Sequence, residues 1–246
     1  MSPSTHSIGW PGLVVARAKE WKHVVLLAIL ICAFVAQPLA SDRSTIGSVP
    51  HDALLTVALV LALEVVFESH VDRLIAFVVG AVVIACKWLR YFLQESWWDA
   101  LAVTHDFAMA LFFGFAVVVI LHNIVRRKTI RVDDVVGSVC GYLLAGGAWA
   151  ALYSAIDHLV PGSFSISPSL ATQVEGWHSR HAVFEYFSLV TLTTIGYGDV
   201  SPIRAPAVTL AWLEAVFGQF YIAVVVAQLV AVRLMQMPRR GDPDSH

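Results

Sequence analysis

Six consecutive residues, Thr194-Ile195-Gly196-Tyr197-Gly198-Asp199, combine types suited to holding an ion by main-chain oxygens. A cation such as potassium gives up its water shell at little net cost only if protein oxygens replace that shell. Backbone carbonyls supply them when successive carbonyls turn toward one axis. Ordinary strands alternate their carbonyls. Glycine tolerates the backbone angles that break the alternation, which is what Gly196 and Gly198 offer. The Thr194 hydroxyl adds an inner ring of oxygens. The candidate ion ligands are therefore Thr194, Ile195, Gly196, Tyr197 and Gly198, with K+ held at Thr194, Ile195, Gly196 and Tyr197. Ile195 and Tyr197 are expected to point their side chains away from the axis and brace the strand. Asp199 ends the strand at an outer mouth, where it attracts cations.

Such a strand needs elements that hold it. The stretch from His181 to Thr193 is apolar and aromatic and makes about three turns of helix, too short to cross a bilayer, so it enters and stops. Its C-terminal end aims partial negative charge at the space below. Pro161 to Ser179 is polar and turn-rich and reads as an exposed loop, and Pro202 favours a loop after the strand. Non-helical backbone at membrane depth is tolerated only where it is buried or lines water.

The whole chain is consistent with a membrane setting. Of its 246 residues 58% are hydrophobic and 14% charged, too little charge for the surface of a soluble domain of this size. The apolar residues fall in runs that read as six spans at about 23–40, 53–68, 74–93, 100–125, 134–159 and 206–234. With the N-terminus inside, eleven of the sixteen Lys and Arg residues lie on the cytoplasmic side and five outside or near the outer ends. Both termini are then cytoplasmic, and the 160–205 connection is outside. The basic residues before Val24 are followed by no convincing cleavage site, so the first span reads as retained. Cys32, Cys86 and Cys140 have no metal-ligand spacing and read as small core residues. There is no long basic tract for nucleic acid, no nucleophile–base set for an enzyme, and no internal repeat of the kind secondary transporters show.

The stretch Tyr186-Phe187-Ser188-Leu189-Val190-Thr191-Leu192-Thr193, followed by Thr194-Ile195-Gly196-Tyr197-Gly198-Asp199, resembles the pore of potassium channels, particularly small bacterial ones. The resemblance covers about 135–234. It implies an all-α membrane protein with six transmembrane helices, and a re-entrant pore helix and selectivity-filter loop between helices five and six. It implies a passive potassium-selective channel in the plasma membrane, with no cofactor beyond the permeant K+. Four filter strands surround the axis in that family and this chain has one, so three further copies of itself, a homotetramer, are implied. A less selective cation channel and a non-conducting accessory subunit are the alternatives. The family's spacing places Gly218 at a hinge of the inner helix, close packing against span five being the other reading. Gln219, Ile222, Val226, Val230 and Leu234 follow as the pore-facing stripe, with Val230 or Leu234 as an apolar gate. Glu214, an acid inside the same span, is expected to brace the pore helix through Ser188, Tyr186 or Thr191, with protonation or a role in ion binding as the other readings.

The organisation that results is a cytoplasmic segment 1–22, a four-helix membrane domain 23–125, a cytoplasmic linker 126–134, a pore domain 135–234 and a short cytoplasmic tail 235–246. The four-helix domain lacks voltage-sensor arginines: between Tyr91 and Val125 there is no Lys or Arg, and span four offers only His105, Asp106 and His122. Glu64, Glu68 and Asp72 share one face and read as polar packing or interface residues, or as partners of Arg73, Lys87 or Arg90. His158, His178 and His181 flank the outer mouth, where external pH can reach them. The linker reads as an amphipathic contact with the inner leaflet or as a simple topogenic signal. The 12 residues after Leu234 read as too short for a nucleotide- or calcium-binding domain.

Overall fold

Long runs of Leu, Val, Ala and Ile with few interruptions can satisfy their backbone only as helices when no water is at hand, and helices dominate the computed structural model. It describes residues 22–39, 45–67, 69–89, 92–126, 132–172 and 177–236. Five helices come first: α1 (Lys22–Leu39), α2 (Thr45–Val66), α3 (His70–Leu89), α4 (Trp98–Arg126) and α5 (Val132–Leu159). A 3-10 turn, Glu95–Trp97, precedes α4. There follow β1 (Phe164–Ile166), the single turn α6 (Pro168–Ala171), α7 (Trp177–Leu192), β2 (Val200–Pro202) and α8 (Ala205–Gln236). Most of the 1–22 segment, most of the 126–134 linker and the end of the tail lie outside the described residues.

Each expected span has a helix within a few residues of its bounds, α2 alone beginning well before its expected start. Three of the described helices, Trp98–Arg126, Val132–Leu159 and Ala205–Leu234, are long and apolar enough to cross a membrane. The described apolar stretches of α1 and α2 are shorter. In α3, Asp72 and Arg73 near one end and Lys87 near the other shorten the uncharged stretch.

α4 lies along α5, α1 packs on α2 and α5, and α7 is held between α5 and α8. One apolar core joins α1 to α5 and reaches α8 at Tyr221 and Val225. A second surrounds α7, where Tyr153, Phe164, Phe184 and Phe187 meet. Phe164 sits 4.8 Å from Phe184 between ring centroids.

The segment expected to be an exposed loop is partly built. β1 pairs antiparallel with β2 in the register Phe164↔Pro202, Ser165↔Ser201, Ile166↔Val200. Phe164 and Ser163 are buried, which a polar average over the segment hides. The Ser167 amide donates to the Asp199 carbonyl at 2.8 Å and the Ile203 amide to the Ser163 carbonyl at 2.9 Å, so this clip fixes where the strand after α7 ends.

The expected pairing of the acids in α2 and α3 is only partly found. Arg73 donates to the Phe67 carbonyl at 3.1 Å and lies 3.9 Å from Glu64. Glu68 and Arg90 lie outside the described residues. Cys86 and Cys140 are buried, but Cys32 is exposed on the single chain.

Candidate functional site

α7 delivers the chain to the candidate strand. It ends in a Schellman cap: the Thr194 amide donates to the Thr191 carbonyl at 3.0 Å and the Ile195 amide to the Val190 carbonyl at 3.0 Å. The Thr193 hydroxyl is spent inside the turn, on the Leu189 carbonyl at 2.6 Å. From there φ alternates in sign: Thr194 at 59°, Gly196 at 57° and Gly198 at 76° are positive, and Ile195 and Tyr197 are not. Such alternation swings successive carbonyls onto one side of a strand, the arrangement a carbonyl-lined ion site needs. Glycine explains two of the three positions. Thr194 was not expected to be the third, because a β-branched residue at positive φ is a steric outlier.

The strand leans on α7 through aromatic and polar contacts. Tyr197 stacks on Tyr186 with centroids 6.5 Å apart and planes 1° from parallel. The Tyr186 hydroxyl donates to Asp199 Oδ2 at 2.7 Å, and the Val200 amide donates to Oδ1 at 3.0 Å. Asp199 is therefore a latch between the end of the strand and α7. Thr193 to Gly198 are exposed on the single chain, Ile195 by 54% and Tyr197 by 68%.

Behind α7 stands a buried carboxylate. Glu214 of α8 is inaccessible to solvent, and its Oε1 accepts from the Ser188 hydroxyl at 2.5 Å. Its Oε2 accepts from the Tyr153 hydroxyl of α5. The Gly146 carbonyl lies 2.8 Å from the same hydroxyl, whose one hydrogen is shared between the two oxygens. Of the expected partners Ser188 is found, Tyr186 serves Asp199 instead, and Tyr153 was not foreseen. Two further contacts converge on the Leu192 carbonyl at the C-terminal end of α7. Tyr142 donates to it at 2.9 Å, and a Cβ added at Gly218 would lie 2.6 Å from it.

Gly218 is accordingly buried, with Leu192 of α7 as its close neighbour rather than span five. It does not share a face with the rest of the expected stripe. Gln219, Ile222, Val226, Val230 and Leu234 are all exposed on the single chain, the last four spaced by one helical turn each. Val232, which an outward-facing reading would turn to lipid, is 1% exposed. His181 is also not a simple mouth residue: it is partly buried and lines a cavity with residues of α1, α2, α4 and α5. His158 is half-buried, and the side chain of His178 lies outside the described residues. Among the described residues no group of three His, Cys, Asp or Glu side chains is arranged to hold a metal ion.

Residues 142–233 match a family model described as an ion channel. The match begins inside α5, takes in α7, the strand and its latch, and ends near the end of α8. It supports an ion channel in a membrane and points away from an enzyme. Among curated proteins none matches the chain.

Proposed function

We propose that the chain is a subunit of a potassium-selective channel that conducts passively across the plasma membrane as a homotetramer. In this reading Thr194, Ile195, Gly196, Tyr197 and Gly198 form the filter, and the carbonyls of the first four, with the Thr194 hydroxyl, replace the water of K+. Asp199 stands at the outer mouth. Ile222, Val226, Val230 and Leu234, with Gln219, line the inner pore, and α7 is the re-entrant helix.

The observation that carries the proposal is the alternation of φ at Thr194, Gly196 and Gly198. It falls in a strand between two membrane-length helices, inside the segment that matches the ion-channel model. Exposure of that strand and of the α8 stripe on one chain is what a four-fold assembly would use, because the missing walls are other copies. All six helices cross the bilayer in this reading, with both termini cytoplasmic. α4 carries no Lys or Arg before Arg126, so little gating charge moves in it.

Purified protein in liposomes tests the proposal by ion flux. Rubidium and potassium should enter far faster than sodium, and the detergent-solubilised particle should contain four chains. Equal sodium and potassium flux would favour a less selective channel of the same architecture. No flux from a well-folded tetramer would favour a non-conducting subunit.

A further inference from the structure

The carbonyls at the end of α7 can be accounted for one by one. A helix leaves its last four without a partner of its own. Leu189 accepts from the Thr193 amide at 3.0 Å, and the cap uses Val190 and Thr191. Leu192 is left over. It is inaccessible to solvent, so water does not reach its carbonyl. The partner it has comes from a position 50 residues away: the Tyr142 hydroxyl of α5 donates to it at 2.9 Å.

α8 closes on the same carbonyl. Gly218 is buried against it, and a Cβ there would meet it at 2.6 Å. Three residues further along α8, the Tyr221 ring lies 5.5 Å from the Tyr142 ring between centroids. The Tyr221 hydroxyl donates to the Ser138 carbonyl of α5 at 2.7 Å and leaves no room for a Cβ at Gly141. Tyr142 of α5 and Tyr221 of α8 thus face each other where the end of α7 is held.

Packing alone does not ask for tyrosine at 142, since phenylalanine fills nearly the same volume. What the hydroxyl adds is a fixed Leu192 carbonyl. That carbonyl belongs to the second residue before Thr194, whose positive φ begins the alternating strand. Freedom of this carbonyl to rotate is freedom of the Leu192–Thr193 peptide, and so of the inner end of the strand. Tyr221 adjoins Ile222 of the exposed α8 stripe, so movement of that stripe displaces the ring that faces Tyr142.

We propose that Tyr142 is a positioning residue for conduction: it fixes the Leu192 carbonyl at the inner end of the filter, and Tyr221 passes movement of α8 to it. This rests on the reading of Thr194 to Gly198 as the selective strand and of the α8 stripe as the pore lining.

Single-channel recording of the full chain in planar bilayers tests it, with Tyr142→Phe, Tyr221→Phe and the double variant beside the wild type. Tyr142→Phe keeps the ring and frees the carbonyl. Each single variant should change the mean open time by about fivefold, the weight of one hydrogen bond. Tyr142→Phe should also shift the Rb+/K+ permeability ratio. The double variant should fall short of the product of the two single effects, as for residues in contact. A merely structural role would reduce the number of channels and leave open time and permeability ratio alone. If either quantity keeps its wild-type value in Tyr142→Phe, or the effects multiply in full in the double variant, the proposal is overturned. If Tyr142→Phe does not assemble, Tyr221→Phe decides alone: it leaves the Leu192 bond in place, so a changed open time supports the transmission and an unaltered one refutes it. Wild-type channels that pass sodium as readily as potassium overturn the underlying selectivity reading, and the positioning role with it. Selective wild type with indifferent variants overturns the positioning role only.

Discussion

Alanine at position 218 sets two physical effects against each other. Glycine inside a helix is worse than alanine by about 1 kcal/mol, so helix propensity alone predicts that Gly218→Ala stabilises α8. The structure predicts the reverse. The new Cβ would lie 2.6 Å from the Leu192 carbonyl oxygen, 3.1 Å from Leu192 Cδ2 and 3.2 Å from its Cα. Contacts under 3.0 Å are essentially never seen, so the carbonyl must retreat by at least 3.0 minus 2.6, or 0.4 Å. The obstacle is backbone, and the Tyr142 hydroxyl already holds the same oxygen at 2.9 Å, so no flexible side chain can absorb the shift. Overpacking of this kind costs about 1–3 kcal/mol. The contact should prevail over propensity for a net loss of about 1 kcal/mol, or about 2–4 °C in Tm for a chain of this size. Gly218→Val should cost more. Thermal melting of the purified protein measures the sign, and rubidium flux should fall alongside, because the displaced carbonyl adjoins Thr193 and Thr194. A rise in Tm for Gly218→Ala would refute the contact-based reasoning and restore Gly218 as a hinge chosen for flexibility.

Glu214→Ala should destabilise by about 1–3 kcal/mol, because it strands the buried Tyr153 hydroxyl while Ser188 keeps the Gly146 carbonyl. Adding Tyr153→Phe should recover part of that loss in thermal melts, and Glu214→Gln should cost less than Glu214→Ala. Thr194→Gly removes a left-handed β-branched residue that costs about 1 kcal/mol, so the fold should melt no lower even though a side chain is lost. The Rb+/Na+ flux ratio should nevertheless fall, because a ring of hydroxyls is gone; a lower Tm with unchanged ratio would count against both roles. Polar substitution at Val230 or Leu234 should hydrate the apolar ring and raise resting conductance without loss of potassium preference. The comparison site is Val224, exposed on another face of α8, since Val232 is buried in the chain. Unchanged open probability in single-channel recordings of both gate variants would move the gate to the filter.

The sequence exposes what is local. Apolar runs locate the helices to within a few residues at most ends, and the Gly-Tyr-Gly spacing marks the strand because backbone conformation there depends on residue type. Glu214 stands out because an acid in an apolar span demands a partner. What stays hidden is the identity of partners distant in sequence. Tyr153 and Glu214 are 61 positions apart, and Tyr142 and Leu192 are 50 apart, so no periodicity links them. The β1–β2 clip escapes because three-residue strands inside a polar segment carry too little pattern, although Phe164 and Val200 are buried apolar anchors. Thr194 escapes for a different reason: its positive φ runs against its own preference and is imposed by the tight end of α7 and the strand after it. His181 reads as a histidine of the outer mouth until α7 is seen to begin four residues earlier, at Trp177, and to bring that position to a cavity shared with α1, α2, α4 and α5.

Potassium selectivity is tested most directly by the reversal potential under bi-ionic conditions, with potassium on one side of a bilayer holding the purified protein and sodium at equal concentration on the other. A carbonyl-lined strand at Thr194 to Gly198 predicts a potential displaced far toward the potassium equilibrium value, with rubidium able to replace potassium. A reversal potential at zero would contradict it, because a pore that passes both ions equally does not replace the water of K+ with a fitted set of protein oxygens.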